Sequence, residues 1–184
     1  MKFGITVSQI NEVDLVVQAE NAGYDFCWVW DSPMIRSNLW ALLALVAERT
    51  SRISIGPGVA IPALSMAPVT ANAIATINAI APGRTFLGVG TGNTALRAMG
   101  QVPMTIQALE AQLKVIRGLL AGETVAYEAN GINEDIAFQS LELGCINLDD
   151  PIPIHISGFG PKAQALAGEY GDGLITGLPR GGTI

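Results

Sequence analysis

Thr85-Phe-Leu-Gly-Val-Gly-Thr-Gly-Asn-Thr94 opens on an apolar run, residues 86–89, and breaks into Gly90-Thr91-Gly92-Asn93. A run without polar alternation reads as a strand covered on both faces, and glycines at its end let backbone approach a ligand closely. Glycines also serve tight turns, so the stretch carries little weight alone. The same kind of strand end recurs at Ile55-Gly-Pro-Gly58 and at Ile156-Ser-Gly-Phe-Gly160. The chain reads as a repeated scaffold that gathers such ends on one rim.

Outward from that stretch, strands and helices alternate. Residues 3–7 and 26–30 read as the first two strands, and Asp31 stops the second. Asn11 is expected to cap the helix between them, whose apolar stripe through Val13, Val16 and Val17 ends at Gly23. Leu39, Leu42, Leu43 and Val46 recur at i, i+3, i+4 and i+7, the mark of an amphipathic helix. A third strand starts at residues 53–55 and is expected to run through Gly56-Pro-Gly58 to Ile61. Pro68 opens a third helix that stops at Pro82-Gly83, and Ile106, Leu109, Leu113, Ile116 and Leu120 mark a fourth. Residues 151–156 form a fifth strand, Gly160-Pro161 starts a fifth helix, and residues 173–176 form a sixth strand with no helix expected between it and Ile184. Within 122–150 the rhythm changes: Val125-Ala-Tyr127, Asn130-Gly131 and Ile136-Ala-Phe138 read as a hairpin-like excursion within one domain spanning 1–184.

Such alternation implies an α/β fold of parallel strands joined by helical crossovers. Two architectures meet it: an open doubly wound sheet, or a closed (β/α)8 barrel, which needs eight strands and typically about 250 residues. Six strands are read here, so a barrel would be incomplete and leave open edges. Either the chain is truncated, or a partner supplies the rest, or the sheet is open.

The 184 residues are 49% hydrophobic and only 14% charged, which fits a well-buried domain with many two-sided strands. A formal net charge of −6 argues against nucleic acid or an anionic membrane as partner. Cys27 and Cys145 lie far apart with no C-x-x-C spacing and read as small core residues, not as metal ligands. Residues Met1-Lys2 lead straight into a strand, and no run of about 18 apolar residues exists, so the cytoplasm is the expected location. Exposed edges together with the apolar content lead us to expect a homo-oligomer.

Ligand sites on parallel sheets lie at the C-terminal ends of the strands. Asp31 at such an end could accept hydrogen bonds from a polar heterocycle or tune a proton transfer; it could equally be a cap or turn residue before Pro33. Gly56-Pro-Gly-Val59 suggests a bulge or a close backbone approach, with a barrel corner as the plainer reading. Residues Gly88-Val-Gly-Thr-Gly92 look like a dinucleotide fingerprint but fail it, since Asn93 stands where the third glycine belongs. Thr91 and Asn93 could still bond a ring edge. Ser157-Gly-Phe-Gly-Pro161 joins a strand to a helix, and free backbone N–H groups at 158–160 would suit a phosphate, assisted by Ser157 and Lys162. His155, the one histidine, lies within an apolar strand and reads as a core residue before a base. Trp28, Trp30 and Trp40 read as core or rim packing.

Taken in order, Trp30-Asp31, Gly56-Pro-Gly-Val-Ala-Ile-Pro62, the run from Ala75 through Pro82-Gly-Arg84 to Gly92, Gly158-Phe-Gly-Pro-Lys-Ala163, Ala167-Gly168 and Gly171-Asp-Gly173 resemble the bacterial luciferase-like superfamily. Its F420-dependent branch, which includes methylenetetrahydromethanopterin reductase, is the most similar. The resemblance implies a (β/α)8 TIM barrel, here with about six strands, binding FMN or coenzyme F420 at its C-terminal rim. It implies a non-prolyl cis peptide between Gly58 and Val59 behind the ring, and the cofactor phosphate at residues 158–160. Asp31, Thr91, Gly92 and Asn93 would lie near the ring, with Asp31 and Asn93 as the candidates to polarise ring or substrate. Ser157, Gly158, Phe159 and Gly160 complete the expected cofactor-binding set; no metal is expected. F420-dependent sugar and alcohol dehydrogenases of this family carry His after the strand-two Asp, a Trp soon after, and Glu after Gly-Thr-Gly. This chain has Ser32, Arg36 and Asn93 there. The expected activity is an oxidoreductase moving a hydride between the bound cofactor and a small organic substrate. A flavin-binding protein without turnover, or an inactive fragment, is the other reading.

Overall fold

A computed structural model describes residues 1–177. In chain order it holds β1 (Gly4–Val7), α1 (Val13–Asn21), β2 (Phe26–Val29), α2 (Leu39–Arg49), β3 (Ser54–Pro57), α3 (Ala67–Ile80) and β4 (Leu87–Val89). There follow α4 (Asn93–Ala98), α5 (Ile106–Leu120), the pair β5 (Val125–Ala129) and β6 (Ile132–Ile136), then β7 (Ile154–Ser157), α6 (Pro161–Tyr170) and β8 (Gly173–Ile175). The expectation of no helix before Ile184 concerns residues 178–184, which lie outside the described ones.

β1-β2-β3 and β4-β7-β8 are parallel sheets, and the bridges Ile55–Thr85 and Ala60–Val89 join them. The order β1-β2-β3-β4-β7-β8 never doubles back. With right-handed crossovers, such an order keeps every helix on one side, whereas a doubly wound sheet reverses at a switch point. The open doubly wound alternative is thereby removed, and the winding is that of a (β/α) barrel with six strands described.

The pleat divides the strand residues between two packings. Cys27, Val29, Ile55, Leu87, Val89, Ile154 and Ile156 are at most 2% exposed and share one core with Leu42, Leu43 and Val46 of α2, Ile74 of α3, and Leu109, Leu113 and Ile116 of α5. Each such leucine or isoleucine contributes about 1.5–3 kcal/mol by leaving water. The alternate residues face away from the helices and build an aromatic layer. Phe26 stacks on Trp28 at 5.4 Å between centroids, Trp28 lies 5.8 Å from Phe86, and Phe86 stacks on His155 at 4.9 Å. Glycines make room for these rings: a Cβ on Gly58 would fall 2.6 Å from Trp28 Cβ, and one on Gly173 would fall 2.7 Å from the His155 ring. His155 is therefore an interior packing residue, as expected.

The N-terminal ends of the strands are tied by long-range polar contacts. Arg84 donates to the carbonyls of Ala47 (3.1 Å), Thr50 (2.9 Å) and Ile53 (2.9 Å), so one guanidinium closes the end of α2 onto β3. Glu20 accepts from the N–H groups of Ser51, Arg52 and Ile53. Asn78, fully buried in α3, donates to the carbonyls of Asn147 and Asp150 and accepts from the Thr85 hydroxyl, which anchors the excursion. Asp172 pairs with Arg117 (2.9 Å) and accepts from the N–H of Ile154 (2.9 Å). The Pro-Gly-Arg84 and Gly-Asp-Gly173 segments thus hold the barrel floor, the end that carries stability in this architecture.

Several local expectations are corrected. Asn11 does not cap α1, which starts without a side-chain cap; the Glu12 carboxylate instead accepts from the N–H groups of Ser8 (2.6 Å) and Gln9 (2.9 Å) and so braces the 3-10 turn at Ile10–Glu12 that leads into the helix. Cys145 is exposed rather than in the core; Cys27 is buried, and burial pushes its thiol up to about 12. The third strand does not run unbroken to Ile61: β3 ends at Pro57 and pairing resumes only at Ala60, as the sequence's glycines suggested. The excursion is a hairpin, with Asn130 and Gly131 at φ 54° and 76° as its two-residue turn requires.

Candidate active site

Four strand ends converge on one cavity of about 880 Å3. β2 delivers Trp30, Asp31 and Ser32. The peptide between Gly58 and Val59, just past β3, is cis, and both residues line the cavity. β4 delivers Gly90, Thr91, Gly92 and Asn93, and β7 leads into Ser157, Phe159 and Gly160 at the start of α6. The ends touch: a Cβ on Gly90 would lie 2.7 Å from Val59 Cγ2 and 3.3 Å from Ser157 Cβ. Gly90 is the residue that lets three strand ends meet.

Among the described residues Asp31 is the one carboxylate in the lining. Its Oδ2 accepts from the N–H of Ile61 at 3.1 Å, which locks it across the strand-three bulge. Burial lifts this carboxyl above its ordinary range, and the Ile61 hydrogen bond offsets only part of that lift. A carboxyl held above its ordinary range keeps its proton more tightly than a free carboxylate does, which suits a proton-transfer group.

Asn93 begins α4, behind Gly92 at φ 76°. Its Oδ1 accepts from Arg97 Nε at 2.7 Å, which fixes the side chain while the amide N–H groups and the oxygen's second lone pair stay open to a ligand. At the β7–α6 turn, the N–H of Gly158 donates to Ile175 O (3.0 Å), and Gly158 does not line the cavity. Its expected part in a phosphate cradle is corrected: pairing with β8 consumes its donor. The first intrahelical bond of α6 is that from Gln164 N–H to Gly160 O, so the N–H groups of Lys162 and Ala163 precede the helical ladder and lie beside those of Phe159 and Gly160 at the cavity. Among the described residues Lys162 is the one cation of the lining.

Nine of the ten expected cofactor-binding residues therefore share one cavity, and Gly158 supports it from behind. Ile61, Ala95 and Ile106 also line it and were not anticipated. Ile61 and Ala95 belong to a small cluster with Leu96, flanked by Leu64, Met99 and Met104, which seats the short helix α4. The apolar pair at 95–96 with Met99 four residues after Ala95 was the signal for that helix. His155 lies outside the lining. Among the described residues no cluster of His, Cys, Asp or Glu could hold a metal ion, and no helix is long and apolar enough to cross a membrane.

A family described as luciferase-like monooxygenase matches residues 7–182. The chain belongs to that family. Among its luciferase-like relatives, the 5,10-methylenetetrahydromethanopterin reductase of Archaeoglobus fulgidus is 34% identical over 183 residues, covering 95% of this chain and 52% of the relative. The solved F420-dependent tetrahydromethanopterin reductase of Methanopyrus kandleri superposes with a TM-score of 0.76 at 25% identity, over 95% of this chain and 55% of that one. An F420-dependent secondary alcohol dehydrogenase in complex with an F420-acetone adduct gives 0.77 at 26% identity, over 96% and 58%. The chain thus has the luciferase-like barrel fold and spans about half the length of the relatives it matches.

Proposed function

We propose that this chain, as one barrel domain over 1–184, holds a flavin or deazaflavin in the 880 Å3 cavity and serves an oxidoreductase that moves a hydride between it and a small organic substrate. The observation that carries the reading is the convergence of four strand ends on one cavity with helix-start N–H groups at one end and a half-buried carboxyl at another. The names of the relatives favour coenzyme F420 over FMN.

The residues present fit such a group. The N–H groups of Phe159, Gly160, Lys162 and Ala163 and the Lys162 ammonium suit a phosphate. Gly90 and Gly92 present no side chain, so a flat ring can lie against backbone there. Val59 would back that ring, and Thr91 with the Asn93 amide would bond its edge. Asp31 would hold or pass the proton that accompanies hydride movement, at the oxygen not engaged by Ile61. The bound cofactor supplies the two-electron chemistry itself. The substrate is a small molecule, and we place the protein in the cytoplasm as a homo-oligomer.

Parallel titration with F420 and FMN, followed by fluorescence with near-UV circular dichroism as folding control, tests the reading. Saturable binding of F420, tighter than FMN by tenfold or more, is the expected result. A folded chain that binds neither overturns it.

A further inference from the structure

Arg36 stands apart from the other described arginines. Arg49, Arg52, Arg84, Arg97 and Arg117 each donate to a carboxylate, an amide oxygen or backbone carbonyls. Among the described residues Arg36 has no such acceptor; its guanidinium lies over the Trp30 ring, 5.8 Å from the centroid. Trp30 lines the cavity and is 40% exposed. The turn that carries Arg36 is itself held in place. The N–H groups of Ile35 and Arg36 both donate to Ser32 O (3.0 and 2.9 Å), that of Ser37 donates to Ser8 O (3.1 Å), and that of Ile10 donates to Ser37 Oγ (3.0 Å).

A guanidinium remains charged at any working pH, and its planar fork of donors matches a carboxylate or a phosphoryl group bidentately. Stacking on an indole orients the fork while leaving its edge open. On a chain of net charge −6, a cation with no carboxylate partner among the described residues focuses anions at the cleft beside it. Arg36 stands outside the described cavity lining, beside Trp30, whereas Lys162 lines the cavity at the β7–α6 turn and is taken up by the cofactor phosphate in the reading above.

We propose that the substrate carries an oxyanion, a carboxylate or phosphoryl group, which Arg36 reads while the adjoining part of the substrate lies against Trp30. This rests on the cavity being the reaction site proposed above. Tryptophan fluorescence titrations with benzoate, phenyl phosphate and the neutral benzamide, at low salt and without cofactor, test it directly. Benzoate or phenyl phosphate is expected to bind about 10–100-fold more tightly than benzamide, the span of one charge-assisted hydrogen-bond pair. Whichever anion binds more tightly names the group. Arg36→Met is expected to erase the preference, and Arg36→Lys, which keeps charge without the fork, to retain part of it. Equal binding of anion and amide by the parent chain overturns the proposal, and so does a preference that survives Arg36→Met. F420 affinity should be unchanged in Arg36→Met. A parent chain that shows the Arg36-dependent preference yet binds no cofactor would sink the hydride-transfer reading and leave the anion site standing; the converse pattern would do the reverse.

Discussion

Asp31 shows how one residue can be costly to the fold and useful to a site. Its carboxyl is half-buried and receives one hydrogen bond, so the folded state keeps its proton to a higher pH than the unfolded chain does. The stabilisation from that retained proton is complete below the ordinary value of 3.8 and is withdrawn as pH rises through the elevated folded value. At pH 7, above the ordinary value, this residue therefore costs the fold stability. Asp31→Asn, which keeps an acceptor for the N–H of Ile61, is expected to raise Tm at pH 7 by about 2 °C or more and to leave it unchanged at pH 3. The same variant is expected to lower turnover about 10²-fold while cofactor affinity moves less than tenfold. An unchanged pH dependence of Tm would remove the electrostatic argument. That Asp31 ends an apolar strand was visible in the sequence; that Ile61, thirty positions on, bonds it was not.

At the scale of the element, the β7–α6 turn separates two glycines that look alike in the sequence. A Cβ on Gly158 would sit 3.0 Å from Ala163 C and 3.1 Å from Gln164 N, both backbone atoms of the first turn of α6, which cannot give way cheaply. A Cβ on Gly160 meets nothing within 4 Å, and its φ of −112° suits any residue. Gly158→Ala is expected to cost about 1–3 kcal/mol of stability by overpacking. Gly160→Val should leave urea-unfolding stability within about 0.5 kcal/mol and weaken F420 binding tenfold or more, because its branch projects toward the cavity. Retained affinity in Gly160→Val would move the phosphate elsewhere. The hairpin β5–β6 was legible because an Asn-Gly pair specifies its own turn within two residues. The helix α4 was not, because its six residues are seated by Ile61 and Met104 from other segments.

Across the whole molecule, the barrel-floor carboxylates and His155 of the interior layer share one pH dependence, opposite in sense to that of Asp31. The guanidinium of Arg117 holds Asp172 below its ordinary 3.8. Burial works to raise Glu20, yet three backbone donors bring it below 4.5. Burial keeps His155 below 6.5, against the pull of Asp172. Each binds fewer protons folded than unfolded, so each contributes stability above its ordinary value that is lost as pH falls. The urea midpoint is expected to start declining as pH falls through 6.5 and to steepen below 4.5. Asp172→Asn should cost about 1 kcal/mol at pH 7, given that the pair is part-exposed, and should flatten the curve below pH 4. A midpoint constant from pH 7 to 3 would contradict this account. By itself the sequence determined the βα rhythm, the apolar strands, the hairpin turn and the glycine-rich strand ends, since periodicity, caps and turn chemistry act over a few neighbouring positions. Only the tertiary structure decided that Gly158 spends its N–H on β8 and that Arg84 and Asn78 clasp distant segments. Those outcomes depend on which groups meet across the sheet, and a hydrogen-bond donor carries no mark of the partner that packing will bring to it.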